Sequence, residues 1–252
     1  MANLRVNKIV GIGSTDAGVV FDGDVKINSQ GVMYFPKGDT SQRGRGRGVF
    51  GGGIHSPNPS TTAMQYIQIQ STSNAVDFGS LTAARSDISG SGNGTRGVLS
   101  GGYNPAASDV IDYVTIATTA NAIDFGNLTE ARGQSASFSN SIRAVQACGQ
   151  ATSTPSYHVS NTIDYITMAT TGDAIDFGDA RLARAQIKTG AASQIRGCFG
   201  GGTTDGSNTY NIIEYIQFST TGNAMDFGDL ANDGRRNGVA GLSDSHGGLG
   251  GF

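Results

Sequence analysis

Residues 96–128 read RGVLSGGYNPAASDVIDYVTIATTANAIDFGNL, and this stretch decides the fold. It starts with an apolar segment that ends in Gly-Gly, continues with a segment that carries Tyr113, and closes with Asp-Phe-Gly. Tyr, Ile, Val and Thr favour β-strands, and their alternation has the two-residue period of a strand. The Thr-Ala-Asn-Ala connection suits a tight hairpin turn. The stretch therefore predicts a ladder of β-hairpins.

The same pattern recurs about every 50 residues, which predicts a repeat architecture. Every copy contains an Asp-Phe pair and an arginine shortly after it. The pairs are Asp77-Phe78, Asp124-Phe125, Asp176-Phe177 and Asp226-Phe227. The arginines are Arg85, Arg132, Arg184 and Arg235. A fifth copy begins after the last arginine and reaches GGLGGF, residues 247–252.

Small residues follow each arginine, for example in SDISGSGNGT, residues 86–95. Small side chains suit an inner strand that is crowded against its neighbours near a central axis. Each copy then has four strands: small-residue, Gly-rich, tyrosine-bearing and Asp-Phe. One four-stranded sheet cannot bury both of its faces, whereas several sheets stacked radially can. We therefore expect under about a tenth of the residues to be helical.

Composition excludes several functional classes. The chain of 252 residues has 39 glycines, 5 prolines, no tryptophan and a formal net charge of −3. Without a basic excess, nucleic-acid binding is disfavoured. No apolar run is long enough for a signal peptide or a membrane span. The two cysteines, Cys148 and Cys198, are too few for a disulfide scaffold, so we expect free buried thiols.

No residue constellation indicates catalysis, a metal or a cofactor. His55, His158 and His246 are far apart and lack zinc-ligand spacing. No G-x-S-x-G elbow or kinase signature accompanies the Asp-Phe-Gly triplets. We interpret each of these aspartates as capping a turn or pairing with the arginine eight or nine positions later, and not as a ring of cation ligands. The RGRGRG run around Arg45 (43–48) is either a solvated lead-in or a contact for an acidic partner.

The repeat resembles the kelch repeat of β-propellers over residues 47–252. It departs from that family because phenylalanine stands in each Asp-Phe pair where kelch repeats usually have tryptophan. RGVFGGG (47–53), IDYITMATTGDAIDFG (163–178) and DFGNLTEAR (124–132) also look like repeats in structural proteins of tailed bacteriophages, especially marine and cyanobacterial ones. Residues 14–40 resemble lead-in segments of phage fibre and virion-surface proteins.

These resemblances imply an all-β, kelch-like β-propeller of four to five four-stranded blades. Residues 1–42 would be an extended N-terminal β segment for attachment to capsid or tail proteins, and residues 43–252 the propeller. The implied function is that of a non-enzymatic virion surface protein, either a capsid decoration or knob or a short tail-fibre module, which forms homo-oligomers on the particle. The alternative is a lectin-type adhesion module that binds host glycans.

The loops between Gly-rich and tyrosine-bearing strands differ completely between copies. In a propeller these loops emerge on one face, so their side chains would cluster. Aromatic and amide side chains of this kind stack on sugars or anchor protein interfaces. The competing interpretation is that the loops vary because nothing constrains them. The candidate binding residues are His55, Asn58, Tyr103, Asn104, Tyr157, His158, Asn208 and Tyr210.

Two further expectations concern how the copies join. The regular position of Arg85, Arg132 and Arg184 predicts hydrogen bonds within or between neighbouring blades. The propeller could close in two ways. One is a four-bladed ring, in which 236–244 is the missing inner strand of the first blade, and the other is a five-bladed ring. The five-bladed ring is preferred because pairing of 18–36 with 236–252 would bury sheet edges.

Overall fold

The computed structural model describes residues 46–54, 60–69, 71–153, 156–231 and 235–243. These residues form 17 β-strands and no helix, so the low helix content is confirmed for the described part of the chain. They accordingly include no apolar helix that could cross a bilayer. The expected N-terminal segment 1–42 lies outside the described residues, and so does 18–36 with its expected pairing.

The strands follow the repeat and are grouped here into four units. Unit 1 comprises β1 (Arg47–Gly51), β2 (Ala63–Gln68) and β3 (Val76–Ser80). Unit 2 comprises β4 (Ser89–Gly92), β5 (Arg96–Ser100), β6 (Val110–Thr115) and β7 (Ile123–Asn127). Unit 3 comprises β8 (Ala136–Ser139), β9 (Arg143–Ser153), β10 (Ser156–Thr167) and β11 (Ile175–Asp179). Unit 4 comprises β12 (Ile187–Thr189), β13 (Ala191–Ala192), β14 (Arg196–Gly200), β15 (Ile212–Gln217) and β16 (Met225–Asp229), and β17 (Val239–Ala240) follows it.

Each unit contains an antiparallel meander with its strands in chain order, which in unit 4 consists of β13 to β16 without β12. In unit 2, Val98 on β5 lies opposite Tyr113 on β6, and Tyr113 lies opposite Ile123 on β7. The pairing of the tyrosine-bearing strand with the Asp-Phe strand shifts register at the same place in every unit, for example between Ile111 and Asp112. The shift leaves Phe125 as an extra residue on the Asp-Phe strand, which is a β-bulge.

The hairpin of unit 3 is longer than expected. The variable stretch 151–163 was interpreted as a loop, but β9 and β10 continue their pairing to Ser153 and Ser156. Here β-branched and aromatic residues such as Thr152, Tyr157 and Val159 favour strand pairing over an irregular loop. His158 therefore lies on a strand, opposite Ala151, and its side chain is exposed.

The small-residue strands lie next to one another, as expected. The Gln134 amide donates to the Asp87 carbonyl at 3.2 Å, and the Ile187 amide donates to the Gln134 carbonyl at 3.3 Å. The Ser89 hydroxyl donates to the Ser135 carbonyl at 2.8 Å. β12 and β17 continue the series as a parallel pair. The described residues form a series of antiparallel sheets, and no closed ring is found among them.

The hydrophobic core consists of three clusters, and each cluster joins two consecutive units. Phe78, Phe125 and Phe177 each belong to a different cluster and are almost fully buried. Each packs with an apolar residue from the tyrosine-bearing strand of the next unit, such as Val114 beside Phe78. Because both faces of a sheet need such cover, each unit depends on its neighbours for stability.

Candidate functional site

Arg85 links unit 1 to unit 2 through a set of buried polar contacts. Its Nη2 lies 2.6 Å from Asp112 Oδ2, and both side chains are almost fully buried. Its Nη1 donates to the carbonyls of Gly101 at 2.8 Å and Val110 at 2.7 Å. The Thr82 hydroxyl donates to Asp112 Oδ1 at 2.5 Å. The guanidinium and the carboxylate therefore pair where water is excluded, while the buried Arg85 Nε has no hydrogen-bond partner among the described residues.

The same contact recurs at the next two junctions. Arg132 pairs with Asp164 at 2.8 Å, and Arg184 pairs with Glu214. We call the three arginine–acid contacts the latches. The prediction that Arg85, Arg132 and Arg184 make hydrogen bonds between neighbouring units is confirmed.

The predicted arginine partners were wrong. Asp124 and Asp176 do not contact the arginines but accept the amides of Gly126 and Gly178, both at 3.1 Å. These aspartates therefore cap turns, as the first of the two interpretations proposed. Each acid of a latch lies two residues before an apolar residue that packs on the preceding unit, as Asp112 lies before Val114, so strand alternation directs it towards that unit. The sequence signal that could have identified the partners of the arginines is the acid directly before a tyrosine, in Asp112-Tyr113, Asp164-Tyr165 and Glu214-Tyr215.

The fourth arginine of the series is Arg236 and not the expected Arg235. The Gly202 amide donates to the Arg236 carbonyl at 2.8 Å, just as the Gly102 amide donates to the Arg132 carbonyl at 2.9 Å. In unit 1 the position of the latch acid holds Gln65, which is exposed. Unit 1 thus lacks the acid of a latch.

A second arginine in each unit lies over the tyrosine of the same unit. The distances from the guanidinium carbon to the ring centre are 4.3 Å for Arg47 and Tyr66 and 4.7 Å for Arg96 and Tyr113. Arg47 also donates to the carbonyl of Ile116 in unit 2, at 2.9 Å. Arg47 is therefore a junction residue and not part of a solvated lead-in, whereas Arg45 lies outside the described residues.

Tyr103 has a structural contact that links unit 2 to unit 3. Its hydroxyl donates to the carbonyl of Gln150 at 2.8 Å. A side chain at Gly133 would lie 2.4 Å from the Tyr103 ring, so only glycine leaves room for it there. Tyr103 is half-buried, and its hydroxyl is engaged within the protein.

The other candidate binding residues lie at the same end of their sheets but are not brought into one cluster by any described contact. Asn104, His158 and Asn208 are exposed, and Tyr210 is half-buried. The Asn208 amide donates to Asp205 Oδ1 at 2.6 Å. Hydrogen bonds from the amides of Asn208 and Ser207 lower the pKa of the Asp205 carboxyl. His55 and Asn58 lie outside the described residues, and of Tyr157 only the strand position is described.

The described residues offer little space for a ligand. A cavity of about 20 Å³ lies between units 2 and 3 and is lined by residues such as Val98, Ser137 and Ile166. That volume accommodates a single water molecule. No group of His, Cys, Asp and Glu side chains in the described ranges is arranged to hold a metal ion. Cys148 and Cys198 are free thiols, of which Cys148 is buried and Cys198 is half-buried.

Comparison with known proteins gives no assignment of family. No protein-family model matches the chain, and no curated protein matches it.

Proposed function

We propose that this chain is a non-enzymatic structural protein of a tailed-phage virion surface, either a capsid decoration or knob or a short tail-fibre module. The four units would be blades of a kelch-like propeller, with four or five blades around the axis. Residues 1–42 would attach this body to other virion proteins. The sequence resemblance is the source of the virion assignment.

The latches are the observation that carries the structural role. Arg85, Arg132 and Arg184 are buried at the junctions between units, and their acids are satisfied by the same contacts. None of these charges lines a cavity large enough for a substrate. Because these charged groups are engaged in buried contacts between units, they favour the role of a rigid scaffold over that of a reactive site.

The test is to locate the protein. Particles purified from a culture that encodes this chain should contain it in a fixed ratio to the major capsid protein, as measured by quantitative mass spectrometry. A matched control is a cytoplasmic host protein of similar abundance, which should be lost during purification. Recovery of the chain only in the soluble lysate would refute the proposal.

Glycan binding is the second candidate, because exposed polar side chains lie at the same end of units 2, 3 and 4. They are Asn104, His158 and Asn208. A glycan array with the full chain tests it, with the triple alanine variant at these positions as control. Binding that the variant loses would support a lectin role, and absence of binding by the full chain would exclude it for the glycans tested.

A further inference from the structure

Every junction between consecutive units buries the phenylalanine of the Asp-Phe pair. Phe78, Phe125 and Phe177 are only 2–3% exposed, whereas Phe227 of unit 4 is 53% exposed. The four residues hold the same sequence position, so the difference arises from the missing neighbour. Unit 4 therefore presents a junction surface that no described unit covers.

A turn of the following unit also forms hydrogen bonds with the outer strand at each junction. In units 1 and 2, the Ser80 amide donates to Asn121 Oδ1 at 3.0 Å, and the Ala122 amide donates to the Ser80 carbonyl at 2.8 Å. The junction between units 3 and 4 repeats this through Asp179 and Asn223, at 3.0 Å. Each of these contacts therefore joins the edge of an outer strand to an Asn/Asp-Ala turn of the following unit.

Unit 1 exposes the half of the junction that receives a preceding unit. Phe50 is 61% exposed, whereas its counterpart Phe199 is 2% exposed. Ile69 is 67% exposed, whereas its counterpart Met168 is 1% exposed. We call this surface the leading face, and its residues are Phe50, Gln65, Ile69, Asn74 and Ala75.

Unit 4 exposes the complementary half. A Cβ added to Gly228 would meet nothing within 4 Å, whereas one added to Gly178 would lie 2.5 Å from the backbone of Gly222. Arg236 is exposed, whereas Arg184 is fully buried. We call this surface the trailing face, and its residues are Arg196, Phe227, Gly228, Asp229 and Arg236.

We propose that the trailing face of one copy binds the leading face of a second copy, head to tail. The contact would rebuild the internal junction: Phe227 would pack against Ile67 and Ala75, and the backbone of Asp229 would meet the Asn74-Ala75 turn. A second copy is the occupant because it carries the complementary half of a junction that the chain forms three times within itself. The chain's own unit 1 does not cover unit 4, since both faces are exposed.

Gln65 distinguishes this contact from the internal junctions. Arg236 would meet the neutral amide of Gln65, whereas the internal arginines meet carboxylates. An arginine–carboxylate contact has an attraction between opposite charges that an arginine–amide contact lacks, so the contact between copies is weaker and reversible. A head-to-tail contact of this kind is heterologous and leads to a ring of copies or to an open filament. The inference does not depend on a virion location. It assigns the two end faces to a second copy instead of to closure of the propeller within one chain, and the experiment below separates the two.

Two variants that each block one face provide the test. Phe227→Arg blocks the trailing face, and Ala75→Arg blocks the leading face; both positions are exposed, so the fold should persist. Light scattering on the full-length protein should give a mass that rises with concentration for the wild type and a monomer for each variant. An equimolar mixture should give a dimer and nothing larger, because each variant keeps the face that the other lacks.

Three results would overturn the proposal. The first is a wild-type protein that stays monomeric, with no dimer in the mixture. The second is a monomeric wild type in which both variants lower the melting temperature, since that result assigns the two faces to each other within one chain. A wild type and variants that assemble equally would also contradict it, because assembly would then use another surface.

Gln65→Glu tests the junction geometry independently of the blocking variants. The new carboxylate would complete a latch with Arg236 of the next copy and lower the dissociation constant about tenfold. Thr118→Glu adds the same charge to an exposed turn of unit 2 and serves as control. Equal affinities for Gln65→Glu and Thr118→Glu would show that position 65 does not face the arginine.

Discussion

Arg132 and Asp164 form a buried ion pair 2.8 Å long that joins unit 2 to unit 3. Neither charge would be stable in this position alone, because desolvation of an isolated ion costs several kcal/mol. The pair forms only when the two units stack, so the arginine and the acid come together with the apolar cluster around Phe125. The latches thus make the stacking of neighbouring units cooperative.

Asp164→Asn should lower the free energy of unfolding by about 3–5 kcal/mol, because it leaves the buried Arg132 charge with only the more distant Glu130 carboxylate, 3.7 Å away. Urea unfolding followed by circular dichroism measures the change. Arg181→Ala is the control, since the Arg181–Asp226 pair is more than half exposed on both sides and such pairs contribute about 1 kcal/mol or less. Equal losses for the two variants would contradict the role of the latch.

Gly101→Ala should destabilise the protein much more than Gly238→Ala. Both glycines have positive φ, +64° and +68°, where an added Cβ costs about 1 kcal/mol. At Gly101 the Cβ would also lie 2.2 Å from the carbonyl oxygen of Arg132, whereas at Gly238 it would meet nothing within 4 Å. We expect a loss of about 3 kcal/mol or more at Gly101 and about 1 kcal/mol at Gly238 in denaturant unfolding. A smaller loss of unfolding free energy at Gly101 than at Gly238 would show that the backbone around Gly101 shifts to accommodate the added Cβ.

The strands and their order could be predicted from the sequence, because alternation and glycine-rich turns are local signals. The small-residue strands were also predictable, since crowding selects small side chains. The partner of Arg132 could not be found by sequence offset within one repeat, because Asp164 belongs to the next repeat and meets the arginine only when the two units stack. The length of the unit 3 hairpin was missed because its polar residues read equally well as a loop.

The candidate binding residues were the least predictable part. A variable loop shows that a position is tolerant of change but not what its side chain touches. Tyr103 was selected as a binding residue, yet its hydroxyl is engaged by Gln150 of the next unit. That contact depends on the absence of a side chain at Gly133, which no inspection of the loop alone reveals.

Tyr103→Phe should cost about 0.5–1 kcal/mol of unfolding free energy, because the Gln150 carbonyl also accepts the Gly133 amide and stays satisfied. Tyr103→Ala should cost about 2–3 kcal/mol, since it also removes the ring that packs on Gly133. The exposed neighbour Asn104, changed to alanine, is the control and should stay within about 0.5 kcal/mol. Thermal and urea unfolding measure all three. If Tyr103→Ala leaves the free energy of unfolding unchanged, Tyr103 is again a candidate for contact with a ligand.

The stability of the protein should fall between pH 9 and pH 11 because of Cys148. Burial raises the pKa of the Cys148 thiol from 9.0 to about 11, so the folded state favours the neutral thiol. A group whose pKa is raised on folding contributes its full stability below its unfolded pKa. That contribution is lost as the pH rises through the folded pKa, and here the loss of unfolding free energy approaches about 2–3 kcal/mol.

Cys148→Gly removes the titrating group without backbone strain, because Cys148 has φ 60° and the matching residues of the other units are glycines with positive φ. Urea unfolding of both proteins from pH 7.5 to pH 10.5 should show a steeper decline for the wild type, because the variant lacks the Cys148 thiol. Parallel curves would mean that the thiolate is accommodated in the folded protein and that its pKa is not raised.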